Sequence, residues 1–292
     1  MNQKLLGALF LSIAASIWGG MYVVVKVVVE VVPPFELVWI RYFIAVITLA
    51  IIGILTKQVW AIAKKDWWIV FLVAFIGNTI SIVTQEIGTM LSSAQMGAII
   101  TSTTPAFMVL FARFILKESL TWKKCFSIAL ATIGVGIIVG SNGMDHALQL
   151  GGFYLLIAAL TWALMSVLVK KIPTQYSQIV VTTYTSSIAV LLLTPIVVSR
   201  LARLDFQAML QPSIAGGLLY LGFISTACGF LLWNKGLQLM NAASGGLFFF
   251  LQPIVGTLLG WLLLGESLGC SFWIGTILIF IGVFLVMKED EL

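Results

Sequence analysis

Residues 7–26 read GALFLSIAASIWGGMYVVVK, and residues 151–170 read GGFYLLIAALTWALMSVLVK. Gly7, Trp18 and Lys26 recur as Gly151, Trp162 and Lys170 at a constant offset of 144. Further along, a second constant offset of 148 holds. Gly88 and Leu91 match Gly236 and Leu239, while Ala94, Gly97 and Pro105 match Ala242, Gly245 and Pro253. Glu118-Ser119-Leu120 matches Glu266-Ser267-Leu268, and Ile133-Gly134-Val135 matches Ile281-Gly282-Val283. One such match could arise by chance, but an ordered set cannot. The chain is an internal duplication, and the expected units are 1–145 and 146–292.

Each copy is apolar along nearly its whole length. Of 292 residues, 61% are hydrophobic and 9% charged, against about 25% charged in soluble domains. That composition excludes a water-soluble globular domain. A spanning helix needs roughly 20 apolar residues. Ten such segments are expected, at about 5–29, 35–56, 68–90, 94–115, 122–140, 150–169, 177–199, 213–234, 241–264 and 270–287. A β-barrel would show alternation over about 10 residues, which runs such as 131–140 and 277–287 lack. The apolar run from the N-terminus to Val32 is longer than a signal-peptide core. The expected class is therefore an all-α integral membrane protein of ten transmembrane helices.

Five helices per copy is an odd number, so the second copy must insert upside down. Lys and Arg set the orientation. With the N-terminus inside, twelve basic residues fall in inner segments, among them Lys57, Lys64, Lys65, Lys123 and Lys124. Only Arg200 and Arg203 fall in outer loops. Both termini are then cytoplasmic, and the expected location is the cytoplasmic membrane. Inverted five-helix repeats are a transporter plan, with the substrate site near mid-membrane at the repeat interface. The net charge of +5 reflects this orientation, and no nucleic-acid partner is expected.

The Trp18-Gly19-Gly20 segment, Pro34-Phe35 followed by Arg41, and the two Glu-Ser-Leu loops at 118–120 and 266–268 resemble the EamA family of the drug/metabolite transporter superfamily. The resemblance covers essentially the whole chain. It implies a ten-helix carrier, often for export of amino acids and other metabolites. It also implies a central cavity lined by segments 1, 3 and 4 and their counterparts 6, 8 and 9.

Candidate site residues follow from depth and polarity. Trp18 and Trp162 each lie about 11 residues into their segments, near the bilayer centre at about 1.5 Å per residue. Such a pair suits stacking on a ring or holding a cation, or else helix packing. Asn78, Ser81 and Gln85 share a helical stripe at i, i+3 and i+7, and Asn78 matches Thr226. Polar groups in lipid face the bundle interior or a watery cavity. Ser102 and Thr104 belong to a hydroxyl run before Pro105, and Gln252 precedes its counterpart Pro253. Each proline removes a helix hydrogen bond, so both are candidate flexing points. Of the run 248–250, Phe249 is the candidate cavity ring.

Glu86 is the deepest acid and matches Asn234, so its charge is outside the repeat. Arg41 should lie at similar depth, and the two are expected to pair. Glu86 is also a candidate proton or cation site. Glu118 and Glu266 are expected to cap the segments that follow them, and Lys26 and Lys170 to reach opposite interfaces.

No metal site, cofactor or catalytic residue is expected. Cys125, Cys228 and Cys270 are far apart, His146 is the only histidine, and no nucleotide-binding motif is present. The best reading is a secondary carrier, a monomer or homodimer in lipid, for small metabolites such as amino acids. An uptake carrier for quaternary amines is the alternative. A channel would need a charge ring in its pore, and a membrane enzyme a catalytic cluster.

Overall fold

In a computed structural model of the chain, residues 3–92, 94–101, 103–139, 146–264, 270, 273–275, 277–278, 280–282 and 285 are described. Among these, the regular structure is entirely helical. The helices are α1 (Gln3–Val28), α2 (Pro34–Leu55), α3 (Lys64–Leu91), α4 (Ala94–Thr101), α5 (Thr104–Leu116) and α6 (Trp122–Val139). They continue with α7 (His146–Val169), α8 (Gln178–Arg200), α9 (Pro212–Leu239) and α10 (242–264). Six of them, α1, α2, α3, α7, α8 and α9, are long and apolar enough to cross a membrane. Large apolar side chains such as Leu55, Phe114 and Trp122 lie exposed on the outside, a surface suited to lipid.

Sequence-matched positions make matching contacts. Gly7 on α1 abuts α9, where an added Cβ would lie 3.3 Å from the Gly236 carbonyl oxygen. Gly151 on α7 abuts α3 in the same way, 3.0 Å from the Gly88 oxygen. Residues 7 and 151 are repeat mates, as are 236 and 88. Only glycine lets the backbones approach this closely. The packing of α1 on α9 is thus echoed by that of α7 on α3, and α2 packs on its own mate α8.

Two long helices carry a wider π-helical stretch at corresponding places, Val73–Ser81 in α3 and Tyr220–Cys228 in α9. A π stretch holds more residues per turn and rotates everything after it. The expected fourth segment, 94–115, is interrupted. Helix α4 ends at Thr101, Thr103 lies in a turn, and α5 begins at Thr104 with Pro105 in its first turn. The corresponding part of α10 narrows to a 3-10 turn at Leu247–Phe250. Pro105 and Pro253 are both buried beside these irregular stretches.

Three charged residues hold helix ends, and one of them, Glu118, departs from expectation. Lys26 reaches the C-terminal end of α3. Its ammonium donates to the Thr89, Met90 and Ser92 carbonyls at 3.3, 3.2 and 2.7 Å. Lys170 likewise donates to the Leu237 carbonyl at 2.8 Å and to that of Met240. The last carbonyls of α3 and α9 have no helical partner, and each ammonium satisfies them. Glu118 does not cap α6, because Thr121 does, accepting from Lys124 N at 3.2 Å. Lys117, in the left-handed conformation (φ 59°), turns the chain after α5. Glu118 then reaches α10, accepting from Ala242 N and Ala243 N at 3.1 and 3.2 Å. Its counterpart Glu266 lies outside the described residues.

Candidate functional site

The repeat mates Trp18 and Trp162 meet edge to face, with ring centroids 5.3 Å apart. Around them close Phe230, at 5.8 Å from Trp18 and 5.1 Å from Trp162, and Phe249, at 5.8 and 6.4 Å. Trp233 backs this cluster, 5.3 Å from Trp18 and 4.6 Å from Phe249. The cluster forms one wall of a cavity. The lining also includes Met21, Tyr22, Arg41, Ile82, Gln85, Thr101, Thr104, Ala158, Ala159 and Gln252.

The two walls differ in chemistry, and the repeat shows how. Ile82, Gln85, Thr101 and Thr104 come from the first copy. At an offset of 148 their counterparts are Phe230, Trp233, Phe249 and Gln252. Three positions that carry an aliphatic, an amide and a hydroxyl in one copy carry rings in the other. The result is an amphipathic cleft, polar on one side and aromatic on the other.

Several buried polar atoms at this cleft have no hydrogen-bond partner: Gln85 Nε2, Thr104 Oγ1, Trp162 Nε1 and Gln252 Oε1. The two tryptophans differ in this respect. Trp18 Nε1 donates to the Ser225 carbonyl at 2.9 Å. Leaving a buried polar group unpaired costs about 1–3 kcal/mol. Four such groups on one lining suit a ligand that both accepts and donates hydrogen bonds. The cleft is narrow: a water-sized sphere can move its centre through only about 20 Å³, enough for about one water. A metabolite can enter only if the helices part.

Arg41 is the ionised residue of the lining. It is fully buried, as is Glu86, and the Arg41 Nη1 atom donates to Glu86 Oε1. The expected pairing is therefore present. Arg41 Nε donates to Thr226 Oγ1 at 2.8 Å, and Nη2 to Ser225 Oγ at 3.1 Å and Met21 Sδ at 3.3 Å.

Of the residues named from the sequence, Trp18, Trp162, Thr104, Phe249 and Gln252 come together on the lining. Four others lie behind it. Asn78 donates to Thr185 Oγ1 at 3.3 Å and Ser81 to the Ala158 carbonyl at 2.8 Å. Thr226 takes the Arg41 hydrogen bond, and Glu86 reaches the cleft only through Arg41. Ser102 lies outside the described residues.

The π stretch marks where the division falls. Asn78 and Ser81 lie within it and bond to α8 and α7, while Gln85, beyond it, lines the cleft. An even 3.6-residue period put all three on one face. Phe230 and Arg41 were missed as lining, Phe230 because it looks like any apolar helix residue. The signal for it was its repeat mate Ile82, one turn from Gln85. Among the described residues no group of three His, Cys, Asp or Glu could hold a metal ion.

The profile of the EamA-like transporter family matches residues 5–140 and again 149–288. A stretch of 73 residues, 25% of this chain, is 71% identical to 94% of YdzE, a permease-like protein of Bacillus subtilis (strain 168). YetK, an uncharacterized transporter of the same organism, is 27% identical over 99% of this chain and 89% of its own. An uncharacterized transporter of Archaeoglobus fulgidus is 24% identical over 96% and 98%. A solved crystal structure, 17% identical, superposes with a TM-score of 0.77 over 99% of this chain and 97% of that one. That likeness shows the fold alone.

Proposed function

The chain belongs to the EamA-like transporter family, and on that premise we propose that it is a secondary carrier. It exports small amphipathic metabolites such as amino acids across the cytoplasmic membrane by alternating access. The observation that carries this reading is the cleft between Trp18 and Trp162. Repeat mates that touch lie on the axis relating the two copies. A site on that axis is where rocking of one copy against the other exposes a ligand to either side.

The arrangement we infer is ten spans in two inverted copies, 1–145 and 146–292, with both termini inside. The paired glycine contacts and the paired lysine caps support the two copies. The basic residues of the inner segments support the orientation. The protein works as a monomer or homodimer and is not an enzyme, consistent with relatives named as transporters.

The cleft also indicates substrate character. Aromatic rings take an apolar body, while Gln85, Thr104, Trp162 and Gln252 offer donors and an acceptor to a polar head. Uptake of quaternary amines is the poorer reading. The rings would suit a cation, but the ionised group on the lining is itself a cation, Arg41.

The test is a thermal-shift screen of amino acids and amines on the purified protein, then flux of the hits in liposomes with and without a pH gradient. Stabilisation by apolar or aromatic amino acids, with saturable flux, is expected. Stabilisation by quaternary amines alone would overturn the choice of substrate. Product formed from a lipid without net transport would overturn the carrier.

A further inference from the structure

Arg41 and Glu86 break the repeat. Their mates are Thr185 and Asn234, both neutral. The underlying node is nevertheless present in both copies. Arg41 bonds Thr226, and their mates Thr185 and Asn78 bond each other. One copy has therefore gained a buried ion pair that the other does without. A buried pair is weak evidence for stability, since desolvating two charges offsets their attraction.

Each partner is also incompletely matched. Glu86 gives one oxygen to Arg41, and its Oε2 is buried without a donor. Arg41 Nη2 spends one contact on the Met21 sulfur at 3.3 Å, a weak acceptor. Arg41 and Met21 line the cleft and Glu86 does not. The guanidinium thus has Glu86 on one side and the cleft on the other.

We propose that Arg41 receives the substrate's carboxylate from the cleft and that Glu86, released from the pair, takes up a proton. This rests on the carrier reading and narrows its substrate to carboxylates with an apolar or aromatic body. The reason is charge balance. The resting site holds one guanidinium cation and one carboxylate anion. A substrate carboxylate that brings no ammonium of its own would leave an uncompensated negative charge in a dry site, which is costly. Protonation of Glu86 restores neutrality. The ion pair Glu86 carboxylate–Arg41 plus a substrate carboxylate and a proton becomes the ion pair substrate carboxylate–Arg41 plus a Glu86 carboxylic acid. The planar guanidinium is suited to gripping a carboxylate with two hydrogen bonds. The other titratable groups acting on Glu86 are Tyr22 on α1 and Tyr42 on α2. Tyr22 shares a 2.8 Å hydrogen bond with Thr101, and the Tyr42 hydroxyl is buried without a partner.

The test uses the purified full chain in weakly buffered detergent with a pH-indicator dye. The probes are 3-phenylpropanoate and its neutral amide, 3-phenylpropanamide. The acid should raise the melting temperature and the amide should not. Binding of the acid should take up about one proton per ligand. Glu86→Gln should abolish the uptake. Because that variant leaves the buried Arg41 alone, the double variant Arg41→Gln/Glu86→Gln runs beside it. This neutral pair should lose both the preference for the acid and the proton uptake. Four results would each overturn the proposal: no binding of the acid, equal binding of the amide, binding without uptake, or uptake that persists without Glu86. Phenylalanine counterflow in liposomes judges the carrier reading separately, so that reading can stand when this one falls.

Discussion

Gly88→Ala places one methyl group where α3 meets α7. Its carbon would lie 2.6 Å from Leu155 Cγ, 2.9 Å from the Gly151 oxygen and 3.0 Å from Leu155 N. Leu155 can swing, but the other two atoms are helix backbone. Ordinary contact begins near 3.4 Å, so the helices must separate by about half an ångström. Overpacking of this kind costs about 1–3 kcal/mol. Against it, alanine returns up to about 1 kcal/mol of helix propensity. With the full return, the net expectation is a loss of about 0–2 kcal/mol. Gly216→Ala is the control, because nothing lies within 4 Å of its Cβ. It should keep the propensity term alone and be neutral or stabilising. Gly236→Ala, the mate of Gly88, meets Leu11 Cγ at 2.5 Å and the Gly7 oxygen at 3.1 Å and should behave like Gly88→Ala. Thermal unfolding of the three purified variants in one detergent reads the difference. If Gly88→Ala melts at or above the wild type, and Gly216→Ala gains nothing over it, the packing argument is wrong.

Other expectations concern single groups. Trp162→Phe keeps a ring and removes an unpaired N–H, so it should raise stability by about 1 kcal/mol while weakening binding of substrates that accept a hydrogen bond, both read by melting with and without ligand. Glu118→Ala removes the cap on α10 and should cost about 0.5–2 kcal/mol in the same melting assay. Arg41→Gln strands a buried carboxylate and should cost about 3–5 kcal/mol, much of it restored in the Arg41→Gln/Glu86→Gln double variant; chemical or thermal denaturation of single and double variants forms the cycle that checks this.

The parts legible in the sequence were those written as spacing. Gly7 with Gly151, and Gly88 with Gly236, stood out as repeat mates, and the structure puts each of them at a close helix contact. Trp18 and Trp162 stood at one depth in matching segments, so their meeting followed from the repeat. Glu86 and Arg41 were the charges at membrane depth, and lipid leaves such charges little choice but to pair. What stayed hidden depended on departures from regular helix. The π stretch at Val73–Ser81 has no composition signature, and Asn78 and Ser81 within it bond to α8 and α7 rather than line the cleft. Glu118 stands just ahead of α6, and only the left-handed Lys117 reveals that it caps α10. Phe230 and Trp233 were indistinguishable from lipid-facing residues until their mates Ile82 and Gln85 appeared across the cleft.

The central claim is that the two copies move about a site at Trp18 and Trp162 to carry a ligand across. Counterflow in liposomes holding the full chain tests it most directly, with labelled phenylalanine outside and unlabelled phenylalanine inside. The account predicts saturable entry that speeds up with unlabelled substrate on the far side and is impaired by Gln252→Leu. Entry indifferent to the far side, together with single-channel currents from the purified protein, would contradict it.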